Sequence, residues 1–536
     1  MGHNRLVTTS RTWSIAGIVA GVAGLATSYA VAMALTIRDS PVVAVAERVI
    51  AWTPGKVAEY AVRYLGQHDK TVLLLVIVLV LLALFAWAGR LAGRTWWAPA
   101  VLFTVLAGLG GWAVLAQHNA TSVDLVPVAT GLVTWLVCLS LLTDPLRRRD
   151  RAASEQASEQ ASGRDPFVVR GESATPGEVH DHTRRTFLLR ASLMTAVAAV
   201  LGTVGRGIGR GRRHVEETRR LLKLPGVTLP QLPPGVRVDV PGVTPWQTPT
   251  DDFYLIHTAI AVPTIEPADW TLRIHGMVDR EIVLTYSDLI ARRTTQAWIT
   301  LNCVSNEVGG TLVGNAWWSG VRVADLLAEA GVRAGADAVL QTSEDGWTCA
   351  TPIEALTDDR DALLAVAMNG KPLPLEHGFP VRTIVPGLYG YVSATKWVVD
   401  LEVTRFEDVE AFWTQRGWAE RGPVKIASRI DVPRNQEVPP GPFRVAGVAW
   451  AQQTGIAAVE IAVDGGAWQP TTLAEVPHVD TWVQWATTLD LAPGEHRLRV
   501  RAIDRAGVVQ TGVVAPPVPD GATGWDEAGV RVLEEA

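Results

Sequence analysis

Four apolar runs crowd the first 145 residues, at Ser14 to Leu35, Val72 to Ala88, Trp97 to Ala116 and Val123 to Leu142. Each approaches the roughly 20 residues that an α-helix needs to cross a bilayer. No other feature limits the fold as tightly, because a chain in hydrocarbon must satisfy its backbone polar groups internally. Residues 1–145 are therefore expected to form a four-helix transmembrane anchor. Arg5 and Arg11 precede the first run, Arg90 and Arg94 join the second to the third, and Arg147, Arg148, Arg149 and Arg151 come after the fourth. These clusters share one side if the N-terminus is cytoplasmic, as the positive-inside rule requires. The apolar excess behind the mean hydropathy of +0.17 sits in this N-terminal part of the chain. With 536 residues, two or three folded units are expected, and a net charge of −6 leaves no electrostatic footprint for nucleic acid.

Residues 146–182, with the near-repeat ASEQASEQAS, have the polar composition of a flexible cytoplasmic linker. Residues 183–208 begin TRRTFLLRASLMTAVAAVLGTVG, which resembles an internal twin-arginine translocation signal; an ordinary fifth helix with basic flanks is the alternative. Either reading places the chain beyond residue 208 outside the cytoplasm, giving a multi-pass cell-membrane protein with extracytoplasmic domains. No histidine lies inside the apolar runs and no C-x-x-C-H motif occurs, so the bundle is expected to carry no haem. Electrons would then come from or go to a quinone or a separate redox protein. His68, Asp69, His118 and Asp124 are the polar residues expected on the outer rim.

Residues 209–250 are basic, then proline-rich, and suggest a short amphipathic helix and an extended tether. From 251 to 423 the pattern is α+β. Segments such as TLRIHGMV and EIVLTY alternate like strands, and VADLLAEAG and DALLAVAMNG have the character of helices. From 424 to 536, short strand-like segments separated by Asp464-Gly465, Pro493-Gly494 and Ala506-Gly507 indicate an immunoglobulin-like sandwich. Three cysteines are too few for a disulfide framework, although a bridge between Cys303 and Cys349 stays open. Cys303 lies in TLNCVSNEVGG, a polar turn after a strand-like run. The thiol is either presented to a cofactor or held as a small structural hydrophobe.

The ordered segments DDFYLIHTAIAVP, ITLNCVSNEVGG, NAWWSGVRVADLLAEAG and EHGFPVRTIVPGLYGYVSATKW, with the sandwich after them, resemble the sulfite oxidase family of molybdopterin enzymes. The resemblance implies an α+β molybdopterin domain and an immunoglobulin-like domain of the dimerisation type, so a homodimer is a further expectation. It makes Cys303 the thiolate ligand of molybdenum, a soft donor suited to that metal. It also implies cofactor contacts at Asp251, Tyr254, His257, Thr342, His377, Arg382, Ser393 and Lys396.

Departures from the family bear on the substrate. Glu307 and Val308 stand where sulfite oxidases carry arginines, and Trp418 stands where they carry a tyrosine beside the metal. Arg416 could restore positive charge. A weakened anion cage favours oxygen-atom transfer to or from a small S-oxide or N-oxide. The alternatives are a sulfite dehydrogenase with a rearranged pocket and, from another class, an anchored surface-binding protein with a cofactor-free central domain.

Overall fold

The structure is a computed structural model that describes residues 2–35, 37, 40–55, 57, 60, 65, 68–117, 120–161, 176–208 and 210–534. His118 and residues 162–175 of the linker lie outside the described residues. The chain divides into two compact units, the first spanning residues 1–214 and the second essentially the remainder.

In the first unit, five helices are long and apolar enough to cross a membrane, with spans Ser10–Ala34, Asp69–Ala92, Trp97–Leu115, Ser122–Arg148 and Arg185–Thr203. Their outward faces carry exposed leucines and valines such as Leu75, Leu79, Val101 and Leu193. Inside, small residues let backbones approach closely. A Cβ on Gly17 would lie 2.0 Å from the Phe85 carbonyl oxygen, and one on Gly89 2.0 Å from that of Trp13. Phe85, Phe103 and Trp135 fill the space beside these contacts, and the Trp135 indole donates to the Gly21 carbonyl at 2.8 Å.

Two features of this unit differ from the sequence expectation. Pro41–Trp52 is an additional helix; it buries Ala44 and Ala46, the first of them against Ala113 and Val114. The helix containing the fourth span runs from Val126 to Ala161, so the described part of ASEQASEQAS is helical, in keeping with its Ala, Glu and Gln content. Asp124 closes a capping box with Thr121, and Asp69 accepts from the Lys70 amide, so each carboxylate serves the start of its own helix.

The second unit begins with the end of the helix Arg210–Leu221. The segment after it is extended but laid against the β structure, with Val236 and Val240 buried and the Val238 amide donating to Gln484. Ten strands then build the α+β part: β1 (Thr271–Gly276), β2 (Ile282–Thr285), β3 (Thr295–Asn302), β4 (Val313–Arg322), β5 (Ala338–Ser343), β6 (Thr348–Pro352), β7 (Leu363–Met368), β8 (Lys371–Pro372), β9 (Arg382–Ile384) and β10 (Val398–Thr404). One sheet has the order β2-β1-β10-β5-β6; the other has β3-β4-β7-β8, with β9 on β7. Leu272, Ile274, Val339 and Leu401 share a core with Val321, Leu364 and Val366. The helix Val323–Ala330 buries Val323, Leu326, Leu327 and Ala330 and ends at Gly331, whose φ of 74° a side chain would strain.

The expected helix in DALLAVAMNG is instead the fully buried strand β7. A short continuous apolar run carries no periodicity that separates a buried strand from a buried helix. Asn369-Gly370 decides the matter: both residues have positive φ, forming a two-residue hairpin turn that pairs Met368 with Lys371.

Nine further strands complete the chain: β11 (Ala427–Val432), β12 (Gln436–Val438), β13 (Phe443–Trp450), β14 (Ile456–Val463), β15 (Gln469–Pro470), β16 (Thr472–Leu473), β17 (Val483–Leu489), β18 (Gly494–Asp504) and β19 (Asp526–Val532). They form sheets β11-β13-β17-β16 and β12-β19-β18-β14-β15, which enclose a common core that includes Ile430, Val445, Trp485, Leu498 and Val530.

At the start of β18, His496 pairs with Asp464 at 2.7 Å, which raises the histidine pKa; the carboxylate is lowered first by the Arg497 amide that donates to it and then by His496. The histidine contribution is present below its ordinary range near pH 6.5 and is lost as pH rises through the raised value. The carboxylate contribution is lost as pH falls through its lowered value. Hydrogen exchange of the β18 amides should therefore show a His496→Gln deficit of roughly 0.5 kcal/mol near pH 5.5 that shrinks by pH 9. A deficit that grows with pH would contradict the pairing.

Candidate molybdopterin site

Strand β3 becomes fully buried over its last five residues and delivers Asn302 and Cys303 into the interior. The turn after it is closed by its own sequence. The Cys303 amide donates to Leu312 O at 2.9 Å, the Asn306 amide donates to Cys303 O at 3.0 Å, and Asn306 Oδ1 accepts from the Leu312 amide at 2.8 Å. Gly310 is required here, since a Cβ would stand 2.5 Å from Asn306 Oδ1. Burial pushes the Cys303 thiol up, opposed by the Ser305 amide and hydroxyl and by the charge of Lys396.

Cys303 and Cys349 are both free thiols, so the open question of a bridge between them is answered. Cys349 lies on β6 beside Thr395 at 3.2 Å, and burial raises it to about 12.

Arg382, at the start of β9, is 4% exposed. Its guanidinium donates only to main-chain oxygens, those of His377, Ala394 and Thr383 at 3.2–3.4 Å, and lies over the Trp318 ring. Among the described residues no carboxylate pairs with it, and burial lowers its pKa to about 10. His377 is buried, and desolvation together with Lys396 and Arg382 brings it down to about 3, which makes it a neutral imidazole. Tyr254 lies within electrostatic reach of both Cys303 and Arg382. Burial raises its hydroxyl, the thiolate charge adds to this, and the guanidinium opposes it. His257 packs edge-on against Trp397, and Lys396 donates to the Glu376 carbonyl at 2.8 Å.

Cys303, Tyr254, His257, His377, Arg382 and Lys396 thus form one electrostatically connected group. The other expected residues are placed differently. Asp251 is exposed on a 3-10 turn. The Ser393 hydroxyl is buried and donates to the carbonyls of Leu388 and Tyr389. Strand alternation puts Thr342 on the face opposite Gln341, which is the residue that contacts Thr383 beside Arg382. Trp418 packs on Tyr391 and Trp413, and Arg416 stacks on the Phe412 ring and donates to its carbonyl. Tyr389 is absent from the residues expected on sequence grounds, although it is buried within electrostatic range of Cys303. A tyrosine in an apolar run gives no sequence signal of that proximity.

Two unpaired buried atoms test whether a cofactor fits this group. Among the described residues, Asn302 Oδ1 and His377 Nδ1 have no hydrogen-bond partner, although such groups are rarely left unsatisfied. Arg382 adds a buried cation without a counter-anion, which favours a phosphate. A polar, anionic, sulfur-linked group would meet each of these needs.

Residues 259–413 match the model of the oxidoreductase molybdopterin binding domain. The chain is 34% identical over 180 residues to the uncharacterized oxidoreductase YuiH of Bacillus subtilis, covering 34% of this chain and 87% of that protein. It is 27% identical over 321 residues to the sulfite oxidase of Gallus gallus, covering 50% and 69%. The solved sulfane dehydrogenase SoxCD from Paracoccus pantotrophus aligns with 55% of this chain and 82% of its own, at 24% identity and a TM-score of 0.44. The chain belongs to the sulfite oxidase family of molybdopterin-dependent oxidoreductases.

Proposed function

We propose that the protein is a membrane-anchored oxidoreductase that carries out oxygen-atom transfer at a molybdenum centre ligated by Cys303. The observation that carries this reading is the grouping of a buried thiol, a neutral imidazole and an uncompensated guanidinium, with Tyr254 in reach of both the thiol and the guanidinium. When bound, the cofactor supplies a metal that exchanges two electrons and one oxygen atom with a substrate. Arg382 would hold the cofactor's phosphate through its forked donors, and His377 Nδ1 and Asn302 Oδ1 would hold its polar edge. Cys303 loses its proton on metal binding, a change that Ser305 and Lys396 assist.

The pocket chemistry favours an uncharged S-oxide or N-oxide over sulfite. Lys396 is a cation that acts on the thiol, Glu307 is exposed, and the Arg416 guanidinium stacks on the Phe412 ring. Reduction of such a substrate consumes two electrons and two protons and releases water, with the electrons drawn from a quinol or a separate redox protein. The arginine distribution supports an extracytoplasmic catalytic unit, and the paired sheets after Val424 support an immunoglobulin-like domain.

Detergent-purified protein should contain close to one molybdenum per chain and Cys303→Ser much less, as elemental analysis would show; equal metal in both would remove the proposed ligand. Arg382→Lys loses the fork and should weaken cofactor retention by about 2 kcal/mol, or roughly 30-fold, in a dialysis assay; unchanged retention would place the phosphate elsewhere. Steady-state assays should show turnover of dialkyl sulfoxides well above that of sulfite, and the reverse order would favour the sulfite dehydrogenase.

A further inference from the structure

The turn that presents Cys303 is gripped at both ends by the C-terminal β domain. Strand β3 lies at the edge of its sheet, so its outward backbone groups need partners. At Thr300, three residues before the thiol, they find them in the C-terminal domain. The Thr300 amide donates to Asp480 O at 2.9 Å, Thr300 O accepts from Gln452 Nε2 at 2.6 Å, and Thr300 Oγ1 accepts from the Trp482 amide at 2.8 Å. Gln452 Nε2 also reaches Asp480 O at 3.1 Å, tying the grip to the loop that supplies it.

The far end of the turn is held by Arg429 of β11, which is 6% exposed. Its three donor groups serve three acceptors: Nη1 to Gly310 O at 2.7 Å, Nε to Asp431 at 2.7 Å and Nη2 to Thr244 Oγ1 at 2.8 Å. Gly309 rests on Asp526, where a Cβ would meet Oδ1 at 2.2 Å, and Asp526 accepts from the Ile430 amide beside Arg429. A lysine at 429 could keep the charge but could not span three acceptors in fixed directions.

We propose that Arg429 and Gln452 are positioning residues of the molybdenum site, fixing the Cys303 turn from the C-terminal domain. The proposal rests on Cys303 being the metal ligand. Neither residue touches the cofactor; each acts through the backbone that carries the thiol, as groups outside a metal's own ligands commonly do. The C-terminal domain is then part of the site's construction.

The test uses full-length, cofactor-loaded protein carrying Gln452→Met, which keeps volume and removes the donors, or Arg429→Lys. Arg501→Gln is the control, since Arg501 pairs with Glu460 and stacks on Trp468 in the same domain. Both positioning variants should release molybdenum about tenfold faster on dialysis and should alter the metal's electron paramagnetic resonance signal, while the control does neither. Unmodified release and signal in both variants would overturn the proposal, as would an equal change in the control, which would indicate general loosening of the domain. A Cys303→Ser chain with the unmodified signal would remove the ligand reading and the proposal with it.

Discussion

A buried guanidinium with no carboxylate beside it among the described residues, Arg382, sets the terms for the catalytic unit. An isolated charge of that kind is expensive to bury, and three main-chain carbonyls offset the cost only in part. The same burial that lowers Arg382 also strips His377 of its proton and raises the Cys303 thiol. One buried, electropositive environment thus accounts for all three groups, and an anionic cofactor would complete it. Trp318 and Phe253 line the same region, the first under the Arg382 guanidinium and the second edge-on to His377.

Rigidity around that volume comes from several scales of structure. Asn306 and Gly310 close the thiol turn locally, β4 pairs β3 along its whole length, and the C-terminal domain covers the exposed edge. Each layer removes a freedom that the previous one leaves. A thiol held in this way can meet a metal in a single geometry, which is what preorganisation requires.

The sequence is most readable where the chemistry is local. The apolar runs match the long helices because length and composition suffice to define them, and TLNCVSNEVGG shows a polar turn after a strand because Cys303, Asn306 and Gly310 close a short local loop. Leu363–Met368 has the composition of a helix and the structure of a strand, since a short apolar run has no periodicity; Asn369-Gly370 carries the signal for the hairpin. The helix Pro41–Trp52 leaves little trace in the sequence because only two alanines mark its buried face. Thr342 and Gln341 show that neighbouring strand residues face opposite ways, a facing that the family resemblance does not itself specify. The grip of Arg429 on Gly310 joins residues 119 apart, and no local pattern announces a contact of that kind.

The central claim is that Cys303 supplies a sulfur to molybdenum, and X-ray absorption at the metal edge tests it most directly. The account predicts that the metal in Cys303→Ser protein has one sulfur neighbour fewer than the metal in the unmodified chain. The same number of sulfur neighbours in both proteins would contradict it.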